Sequence, residues 1–365
     1  MRIVFVTNDT RFAYNLRHEV MHEMVRRGHE VFLVSEKMGY EQELEEMGIK
    51  LVDIKVDRRG KNPLSDMALF FRYLRVIRQI HPDIVFTNNI KPNVYVGFCC
   101  RVLKVQYVTN ICGMGTPLEK PGLFQVLTTI MYRIGIKKAK AVFFQNEDNQ
   151  KFFEMKHILS PKTKRILLPG SGVNLERHQR SEYPMEGKIV FLYAARIMKE
   201  KGIEEFLEAA RHFRSLRDDV SFEICGMCDD EKYLSLLKKL QKEGIIQYHG
   251  LQKDLEPFYQ RCSCFLYPSY YPEGMSNVLL EAAACGRPVI ATDRCGCRET
   301  VDNGITGYCI PIHDSVAVIK TVEAFLQLSP HERAEMGYAG RKKMEREFDR
   351  KLVVDKYIKL VAAEI

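Results

Sequence analysis

Residues 264–282 read CFLYPSYYPEGMSNVLLEA, and this stretch is the strongest indication of the fold class. Its first four residues, Cys264–Tyr267, are apolar or aromatic and predict a short buried strand. A loop with Pro and Gly follows, and from Ser276 the apolar residues have helical spacing. A strand followed by a loop and a helix is the start of a βαβ unit, which predicts a parallel sheet.

The same alternation runs through the whole chain. Strands are predicted in the N-terminal half at 2–7, 30–35, 50–56, 84–87, 106–110 and 141–145. In the C-terminal half they are predicted at 188–194, 220–225, 245–249, 264–267, 289–292 and 307–310. Helical patterns lie between them, for example at 14–27, 41–47, 67–80 and 203–213. We therefore expect an α/β protein with two doubly wound, Rossmann-like domains facing across a cleft.

The domain boundaries follow from length and from one irregular connection. A chain of 365 residues is longer than one hydrophobic core usually organises. Residues 168–187 are rich in Gly, Pro and polar side chains, and they predict the linker. The expected domains are 1–172 and 187–345, and a C-terminal helix at 346–365 is expected to pack back on the first domain.

Composition predicts a folded chain with reduced thiols. Hydrophobic residues make up 46% and charged residues 28%, as in ordinary globular proteins. The eleven cysteines are an odd number, and no secretory signal precedes them, so we expect free thiols and a cytoplasmic location. Cys225 and Cys228 have the spacing of half a zinc site, but no second pair follows them. No apolar run reaches the length of a membrane-spanning helix.

The excess positive charge lies in the N-terminal half. Residues 1–172 hold 27 Lys and Arg against 17 Asp and Glu, whereas the rest of the chain holds 28 against 30. A basic half attracts nucleic acid, anionic lipid or a phosphorylated acceptor, and diffuse solubilising charge is the alternative. No zinc-finger, ribonucleoprotein or repeated basic-aromatic pattern is present, so we expect no nucleic-acid partner.

Residues 273–281 have the features of an anion site next to two carboxylates. Gly274 gives the backbone freedom to approach a ligand, and a helix beginning near Ser276 presents unpaired N–H groups and its positive dipole end. Glu273 precedes this helix and Glu281 lies just over one turn inside it, so they could bind different hydroxyls of one long ligand. The alternative is that Glu273 and Ser276 only cap the helix.

Two cations are predicted at the same edge of the same sheet. Arg196 and Lys201 follow the strand at 188–194, at the carboxyl edge where a diphosphate would bind. Either could be an ordinary surface cation, but their coincidence with the Glu273 segment favours a shared site.

These elements together resemble the retaining glycosyltransferases of family 4, whose two-domain fold is called GT-B. The resemblance covers essentially the whole chain. It rests on three groups of residues: Glu273 with Glu281, Arg196 with Lys201 and Gly202, and Gly296-Cys297-Arg298-Glu299 after a strand.

The resemblance implies a role for each residue. Arg196 and Lys201 would bind the donor diphosphate, Glu273 with the backbone of Gly274, Met275 and Ser276 would hold the transferred sugar, and Glu281 would bind the ribose. The N–H groups of Asn277, Val278 and Leu279 would help to bind the phosphates, and Glu299 would be structural. In the implied mechanism no side chain attacks the sugar, and the leaving diphosphate takes the acceptor proton. No Asp-x-Asp triplet occurs, so we expect no metal and no cofactor.

The N-terminal half departs from the family at one point. Many relatives carry a His before a Gly-rich loop, whereas this chain has Asn110, Cys112, Gly113 and Gly115 in residues 110–115. Asn110 or the backbone of the Gly-rich loop could take that role, and a plain turn is the alternative. Residues 87–93 and 110–120 also resemble bacterial enzymes that extend glycans on polyprenyl diphosphate.

The expected activity is therefore transfer of a hexose or N-acetylhexosamine from a nucleotide sugar, most simply a UDP-sugar, to a lipid-linked glycan in bacterial surface polysaccharide or glycoprotein assembly. The alternatives are a sugar-nucleotide 2-epimerase of the same fold and a nucleotide-binding protein without activity.

The helix at 68–78 is expected to pack on the sheet. The basic, apolar stretch 123–138 is either such a helix or a surface that meets an anionic membrane at its inner, cytoplasmic face.

Overall fold

The computed structural model describes residues 1–56, 62–119 and 121–363. The chain divides into two compact units, residues 1–171 with 351–365 and residues 172–350. Each unit contains one parallel sheet with helices between successive strands, so the prediction of two doubly wound α/β domains is confirmed.

Within its described residues the first unit has a seven-stranded sheet in the order β3-β2-β1-β4-β5-β6-β7. Its strands are β1 (Arg2–Asp9), β2 (Glu30–Glu36), β3 (Lys50–Asp53), β4 (Ile84–Asn88), β5 (Gln106–Ile111), β6 (Ala141–Phe144) and β7 (Lys164–Leu167). Its helices are α1 (Thr10–Arg26), α2 (Glu41–Glu46), α3 (Pro63–Ile80), α4 (Ile90–Leu103), α5 (Gly115–Glu119), α6 (Leu123–Ile136) and α7 (Glu147–Met155). Side-chain caps begin several of them; Asp9, for example, accepts a hydrogen bond from Phe12 N at 2.8 Å.

The alternation of side chains along the strands gives this unit two apolar layers. In β1, Ile3 and Phe5 belong to one layer, while Val4 and Val6 belong to the other. The C-terminal helix (Arg350–Ala362) completes the layer of Phe5, because the Tyr357 ring packs 4.6 Å from the ring of Phe143. The terminal segment is therefore part of the core of the first unit.

Helix α4 was not predicted as a helix. It is buried on most sides, so its sequence lacks the polar face that marks a surface helix. Pro92 is tolerated because it lies in the first turn, where its missing N–H has no partner in the helix. A Cβ on Gly97 would lie 2.4 Å from the carbonyl oxygen of Gly135, so α4 and α6 pack with their backbones in contact.

Within its described residues the second unit has a six-stranded sheet in the order β10-β9-β8-β11-β12-β13. Its strands are β8 (Ile189–Ala194), β9 (Val220–Cys225), β10 (Gln247–Tyr248), β11 (Cys264–Tyr267), β12 (Val289–Thr292) and β13 (Gly307–Ile310). Its helices are α8 (Ile203–Arg214), α9 (Glu231–Lys242), α10 (Glu256–Arg261), α11 (Asn277–Ala284), α12 (Ser315–Gln327) and α13 (Pro330–Lys343). Short 3₁₀ turns cover Lys199–Lys201 and Arg298–Thr300.

The predicted linker is 168–187, but from residue 172 onward this stretch belongs to the second unit and packs on it. Val173 is buried in its core and pairs with Asp349 as an isolated bridge. Further along, Tyr183 donates a hydrogen bond to the carbonyl oxygen of Ser263 at 3.1 Å. This stretch has few apolar residues because it runs along the surface of the second unit and only a few of its side chains are buried there.

Candidate active site

The predicted donor residues lie at the point where the strand order of the second unit reverses. β8 and β11 are neighbours, but the chain runs outward from them in opposite directions, through β9 and β10 and through β12 and β13. Ligands bind outside the carboxyl ends of the strands at such a reversal. Arg196 and Lys201 follow β8, and Glu273 follows β11, so the topology places all three at this one edge.

Lys201 and Glu273 form a direct ion pair, and a tyrosine hydroxyl is hydrogen-bonded to both of them. Lys201 Nζ pairs with Glu273 Oε1 and donates to the Tyr267 hydroxyl at 3.0 Å. That hydroxyl donates to Glu273 Oε1 at 2.8 Å. The ammonium also lies 4.8 Å from the centre of the Tyr271 ring, within range of a cation–π interaction. The sequence predicted both charged residues but neither their pairing nor the two tyrosines.

Tyr267 keeps its proton at neutral pH. Burial, followed by the negative charge of Glu273, raises the pKa of Tyr267 well above its usual value. The phenol therefore stays neutral and donates a hydrogen bond to Glu273 Oε1 throughout the neutral pH range.

The segment 296–299 supports residues 273–276, the donor loop that leads into α11. Ser276 N donates to the carbonyl oxygen of Gly296 at 2.7 Å, and Gly296 N donates to Glu299 Oε2 at 2.7 Å. Glu299 thus fixes a loop that in turn fixes the residues before α11. This contact agrees with the structural role that the resemblance implies for Glu299.

The start of α11 is not closed by a side-chain cap. Ser276 occupies the N-cap position, but its side chain makes no capping hydrogen bond, so the alternative that Ser276 caps this helix is wrong. Ser276 Oγ and Asn277 Oδ1 are buried and have no hydrogen-bond partner among the described residues. Buried polar atoms are normally satisfied, so two such atoms at a helix N-terminus favour a ligand or ordered water there.

Some of the other predicted donor residues could contact a ligand only through their backbone, whereas others could do so through their side chains. Met275 and Leu279 have buried side chains in the apolar core, so only their backbone could contact a ligand. Gly274 is buried and Val278 is half-buried. Glu281 lies on α11, and its Oε2 accepts a hydrogen bond from the hydroxyl of the buried Tyr259 at 2.9 Å.

Arg196 differs from Lys201. Its side chain is exposed and forms no hydrogen bond or ion pair with any residue that the structure describes. A guanidinium in this state keeps all its donors for an incoming anion.

The candidate residues of the first unit form a separate polar cluster. Asn110 is buried, and its Nδ2 donates to the Tyr357 hydroxyl at 3.0 Å, so it anchors the C-terminal helix. Cys112 Sγ lies 3.8 Å from the Arg17 guanidinium. Burial raises the pKa of Cys112, while the Arg17 charge opposes this shift. Gly113 and Gly115 have φ values of 139° and 64°, which only glycine adopts easily, and Gly115 begins α5.

Sequence reasoning missed Arg17, which is the centre of this cluster. Its guanidinium is fully buried and donates to Asn88 Oδ1 at 3.1 Å and to Ser171 Oγ at 3.0 Å. It forms no ion pair within the described part of the chain. Asn88, Asn93 and Asn110 each keep one buried amide atom without a partner there. Nothing in the sequence distinguishes Arg17 from the other Lys and Arg residues of the chain. A single Arg in a predicted helix is most simply interpreted as a surface cation.

Comparison with known proteins decides the family. A model of glycosyl transferases group 1 matches residues 176–343, and a model of glycosyl transferase 4-like domains matches residues 2–146. The chain belongs to the glycosyl transferases. The two matches cover both structural units, and the first contains every donor residue discussed above.

Two bacterial relatives of this glycosyl transferase come from Campylobacter jejuni. The N,N'-diacetylbacillosaminyl-diphospho-undecaprenol alpha-1,3-N-acetylgalactosaminyltransferase is 25% identical, over 99% of this chain and 98% of the relative. The N-acetylgalactosamine-N,N'-diacetylbacillosaminyl-diphospho-undecaprenol 4-alpha-N-acetylgalactosaminyltransferase is 23% identical, over 81% of each chain.

Solved structures share the GT-B fold of this glycosyl transferase. Anabaena HepE in complex with UDP and glucose superposes with a TM-score of 0.81 at 14% identity, over 100% of each chain. A glycosyltransferase from Rickettsia africae gives a TM-score of 0.80 at 19% identity, over 98% of this chain and 97% of that one. At these identities the likeness shows the fold.

Among the described residues of this glycosyl transferase, one group combines three potential metal ligands, namely His178, Glu256 and Cys285. His178 and Cys285 are each hydrogen-bonded to Glu256: His178 Nδ1 lies 2.9 Å and Cys285 Sγ 3.6 Å from Glu256 Oε2. None of the predicted donor residues belongs to this group. Cys225 and Cys228 are both free thiols, and Cys228 donates to the carbonyl oxygen of Asp230 at 3.3 Å.

Proposed function

We propose that this chain is a retaining glycosyltransferase that moves a hexose or an N-acetylhexosamine from a UDP-sugar to a glycan on polyprenyl diphosphate. The observation that carries the proposal is the Lys201–Glu273 ion pair at the reversal of strand order, the same sheet edge at which the exposed Arg196 follows β8. One edge of one sheet thus offers cations for a diphosphate and carboxylates for sugar hydroxyls.

Each residue has one proposed task. Arg196 and Lys201 bind the diphosphate, assisted by the N–H groups of residues 277–279 at the start of α11. Glu273 and the backbone of residues 274–276 hold the transferred sugar, and Glu281 binds the ribose. Since Lys201 is already partly neutralised by Glu273, the exposed Arg196 carries the larger part of the attraction for the diphosphate.

The proposed chemistry needs no protein nucleophile. The acceptor hydroxyl attacks the anomeric carbon on the face from which the diphosphate leaves, the bond from that carbon to the diphosphate oxygen breaks, and the acceptor proton passes to this oxygen. The protein orients the reactants and stabilises the charge that grows on the diphosphate. Because Arg196 and Lys201 supply positive charge there, we propose that the reaction proceeds without a divalent metal.

The acceptor proposal is supported by the Campylobacter relative whose name includes a diphospho-undecaprenol acceptor and whose whole length this chain matches. In the first unit, we propose the loop with Gly113 and Gly115 at the end of β5 as a contact for the acceptor. We propose surface polysaccharide or glycoprotein glycan assembly as the process.

Helix α6 supports a peripheral contact with the cytoplasmic face of the membrane. Leu123, Leu127, Ile130 and Ile134 recur at helical spacing, and each is exposed, Leu123 to 81%. No Asp or Glu occurs between Glu119 and Glu147, whereas several Lys and Arg do. An exposed apolar row in a stretch of sequence whose charged residues are all positive fits an anionic bilayer. No described helix is both long and apolar enough to cross a membrane.

A sugar-nucleotide 2-epimerase is the second candidate, because it shares the double Rossmann architecture. An epimerase changes the nucleotide sugar with no acceptor present, whereas a transferase releases nucleoside diphosphate only with one. Incubation with UDP-N-acetylgalactosamine, UDP-N-acetylglucosamine and UDP-glucose, without acceptor and with a polyprenyl-diphosphate monosaccharide or disaccharide, separates the two. Anomeric proton couplings of the product test retention, and a product of inverted configuration would refute that part of the proposal.

Donor binding is tested independently by thermal shift with the same three nucleotide sugars. A ligand at 100 times its dissociation constant adds about 2.7 kcal/mol to the free energy of unfolding. If none of the three raises the melting temperature, the proposed donor site is wrong.

A further inference from the structure

Each of the two proposed donor carboxylates accepts a hydrogen bond from its own buried tyrosine. Tyr267, at the end of β11, donates to Glu273 Oε1 at 2.8 Å. Tyr259, in α10, donates to Glu281 Oε2 at 2.9 Å. Both tyrosines are at most 1% exposed, so their hydroxyls reach the carboxylates from inside the fold.

Such a contact restricts a side chain that otherwise has several rotamers. An unrestrained Glu loses this freedom when it binds a ligand, whereas a carboxylate that is already fixed does not. Burial, and after it the charge of the neighbouring Glu281, raises the pKa of Tyr259 well above its usual value, as burial and Glu273 do for Tyr267. Both phenols therefore stay protonated and remain donors across the pH range of an enzyme assay.

Tyr267 has a second contact that Tyr259 lacks. Its oxygen also accepts a hydrogen bond from Lys201 Nζ at 3.0 Å, so one hydroxyl sets both the carboxylate and the ammonium. Tyr259 contacts only the carboxylate among the proposed donor residues. The two tyrosines consequently act on different parts of the donor.

We propose that Tyr267 and Tyr259 are positioning residues, which preorganise Glu273 for the transferred sugar and Glu281 for the ribose. Neither phenol contacts the donor itself. This inference rests on the donor site proposed above and adds the residues that set its affinity.

The proposal predicts two different binding patterns. Tyr259→Phe weakens UMP and UDP-N-acetylgalactosamine by the same factor, about tenfold, because both ligands contain the ribose. Tyr267→Phe weakens UDP-N-acetylgalactosamine about tenfold and UMP by less than about threefold, because UMP lacks the sugar and one of the two phosphates, and it also lowers kcat. A purely structural role would instead lower the melting temperature of both variants, and Tyr267→Phe would then weaken UMP as much as UDP-N-acetylgalactosamine.

The matched control is Tyr183→Phe, which removes a hydroxyl that donates to the carbonyl oxygen of Ser263 in the same unit. Melting temperatures, calorimetric titration with both ligands and transfer kinetics are measured for the wild type and the three variants. We expect Tyr183→Phe to bind and turn over like the wild type.

Combined variants test whether each tyrosine acts through the charged groups that it contacts. Tyr259→Phe added to Glu281→Ala should cause less than about a twofold further loss of affinity for UDP-N-acetylgalactosamine. Because the Tyr267 hydroxyl contacts both Glu273 and Lys201, Tyr267→Phe is added to the variant that carries Glu273→Ala and Lys201→Ala, and there too the further loss should be less than about twofold. Additive losses would overturn the proposal, as would single variants that behave like Tyr183→Phe. If the wild type itself binds no nucleotide sugar, the proposed donor site is wrong. If the wild type binds and the variants give the contrary results above, only the positioning role of the tyrosines is wrong.

Discussion

A Cβ atom on Gly296 would lie 3.1 Å from the carbonyl oxygen of Gly274. The loop after β12 therefore runs against the backbone of the donor loop. The carbonyl oxygen of Gly296 also accepts a hydrogen bond from Ser276 N. Gly296 has φ of +85°, a region that other residues adopt with strain. The glycine is thus required both for its own conformation and for the close approach.

Gly296→Ala is expected to disturb the donor loop as well as the backbone at 296. The positive φ alone costs about 1–2 kcal/mol of stability. Gly304→Ala is the matched control, because Gly304 has φ of +78° and nothing within 4 Å of its Cβ position. We expect similar losses of stability by calorimetry, but about tenfold weaker binding of UDP-N-acetylgalactosamine in the Gly296 variant alone. Equal affinities in the two variants would show that the contact with Gly274 does not shape the site.

Glu273→Gln should fold normally and lose most transfer activity. The amide keeps the size of the side chain and the Tyr267 contact, but it lacks the negative charge that pairs with Lys201 and accepts sugar hydroxyls. We expect kcat/KM to fall about 10²-fold. Glu243→Gln, at an exposed position of the same unit, controls for the loss of one charge. Wild-type turnover by the Glu273 variant would remove this residue from the site.

Arg196→Ala and Lys201→Ala should each weaken UDP binding and slow transfer, because the diphosphate is charged in both the ground and transition states. Loss of one such group costs about 10²–10³ in rate. We expect Arg196→Ala to weaken UDP more, since Lys201 is already paired with Glu273. Lys199→Ala is the control, an exposed cation of the same loop that pairs with Glu204 at 3.3 Å.

Isothermal titration with UDP and transfer assays with and without EDTA check these expectations. Unchanged UDP affinity in both variants would refute the diphosphate assignment. Loss of activity in EDTA, restored by added divalent metal, would refute the proposed independence from metal.

Membrane binding through α6 should have an apolar and an electrostatic part. Leu123→Ser with Leu127→Ser and Ile134→Ser is expected to abolish binding to vesicles, because three exposed apolar side chains are removed from one row. Replacing Arg133, Lys137, Lys138 and Lys140 by Gln should remove the preference for anionic lipid, since each juxtamembrane cation contributes about 1 kcal/mol.

Co-sedimentation with anionic and neutral vesicles at low and high salt measures both parts. Leu216→Ser with Leu251→Ser is the matched control, because these exposed leucines lie in the second unit. The anionic preference should decline as salt rises, since the Debye length is only about 8 Å at physiological ionic strength. If the α6 and control variants bind vesicles equally well, this row is an ordinary surface.

Local sequence patterns were sufficient for most strands. The predicted strands Val220–Cys225, Cys264–Tyr267, Val289–Thr292 and Gly307–Ile310 coincide with β9, β11, β12 and β13. A buried parallel strand is a short apolar run between turn residues, so its signal is contained in the residues themselves. Helix α4 was missed for the opposite reason, because burial on most sides removes the periodicity that reveals a surface helix.

Strand alternation and the carboxyl-end rule are local properties, so the sequence alone predicts the two parallel-sheet domains and the edge at which Arg196, Lys201 and Glu273 follow neighbouring strands. The partners of these side chains depend on how the chain packs in three dimensions. Lys201 and Glu273 are 72 residues apart, and Tyr259 and Glu281 are 22 apart on different helices, so no periodicity links them. The same holds for the buried Arg17, whose partners at Asn88 and Ser171 come from distant parts of the chain. Hydrogen bonds and ion pairs depend on distances within ångströms, and packing sets those distances after the chain has folded.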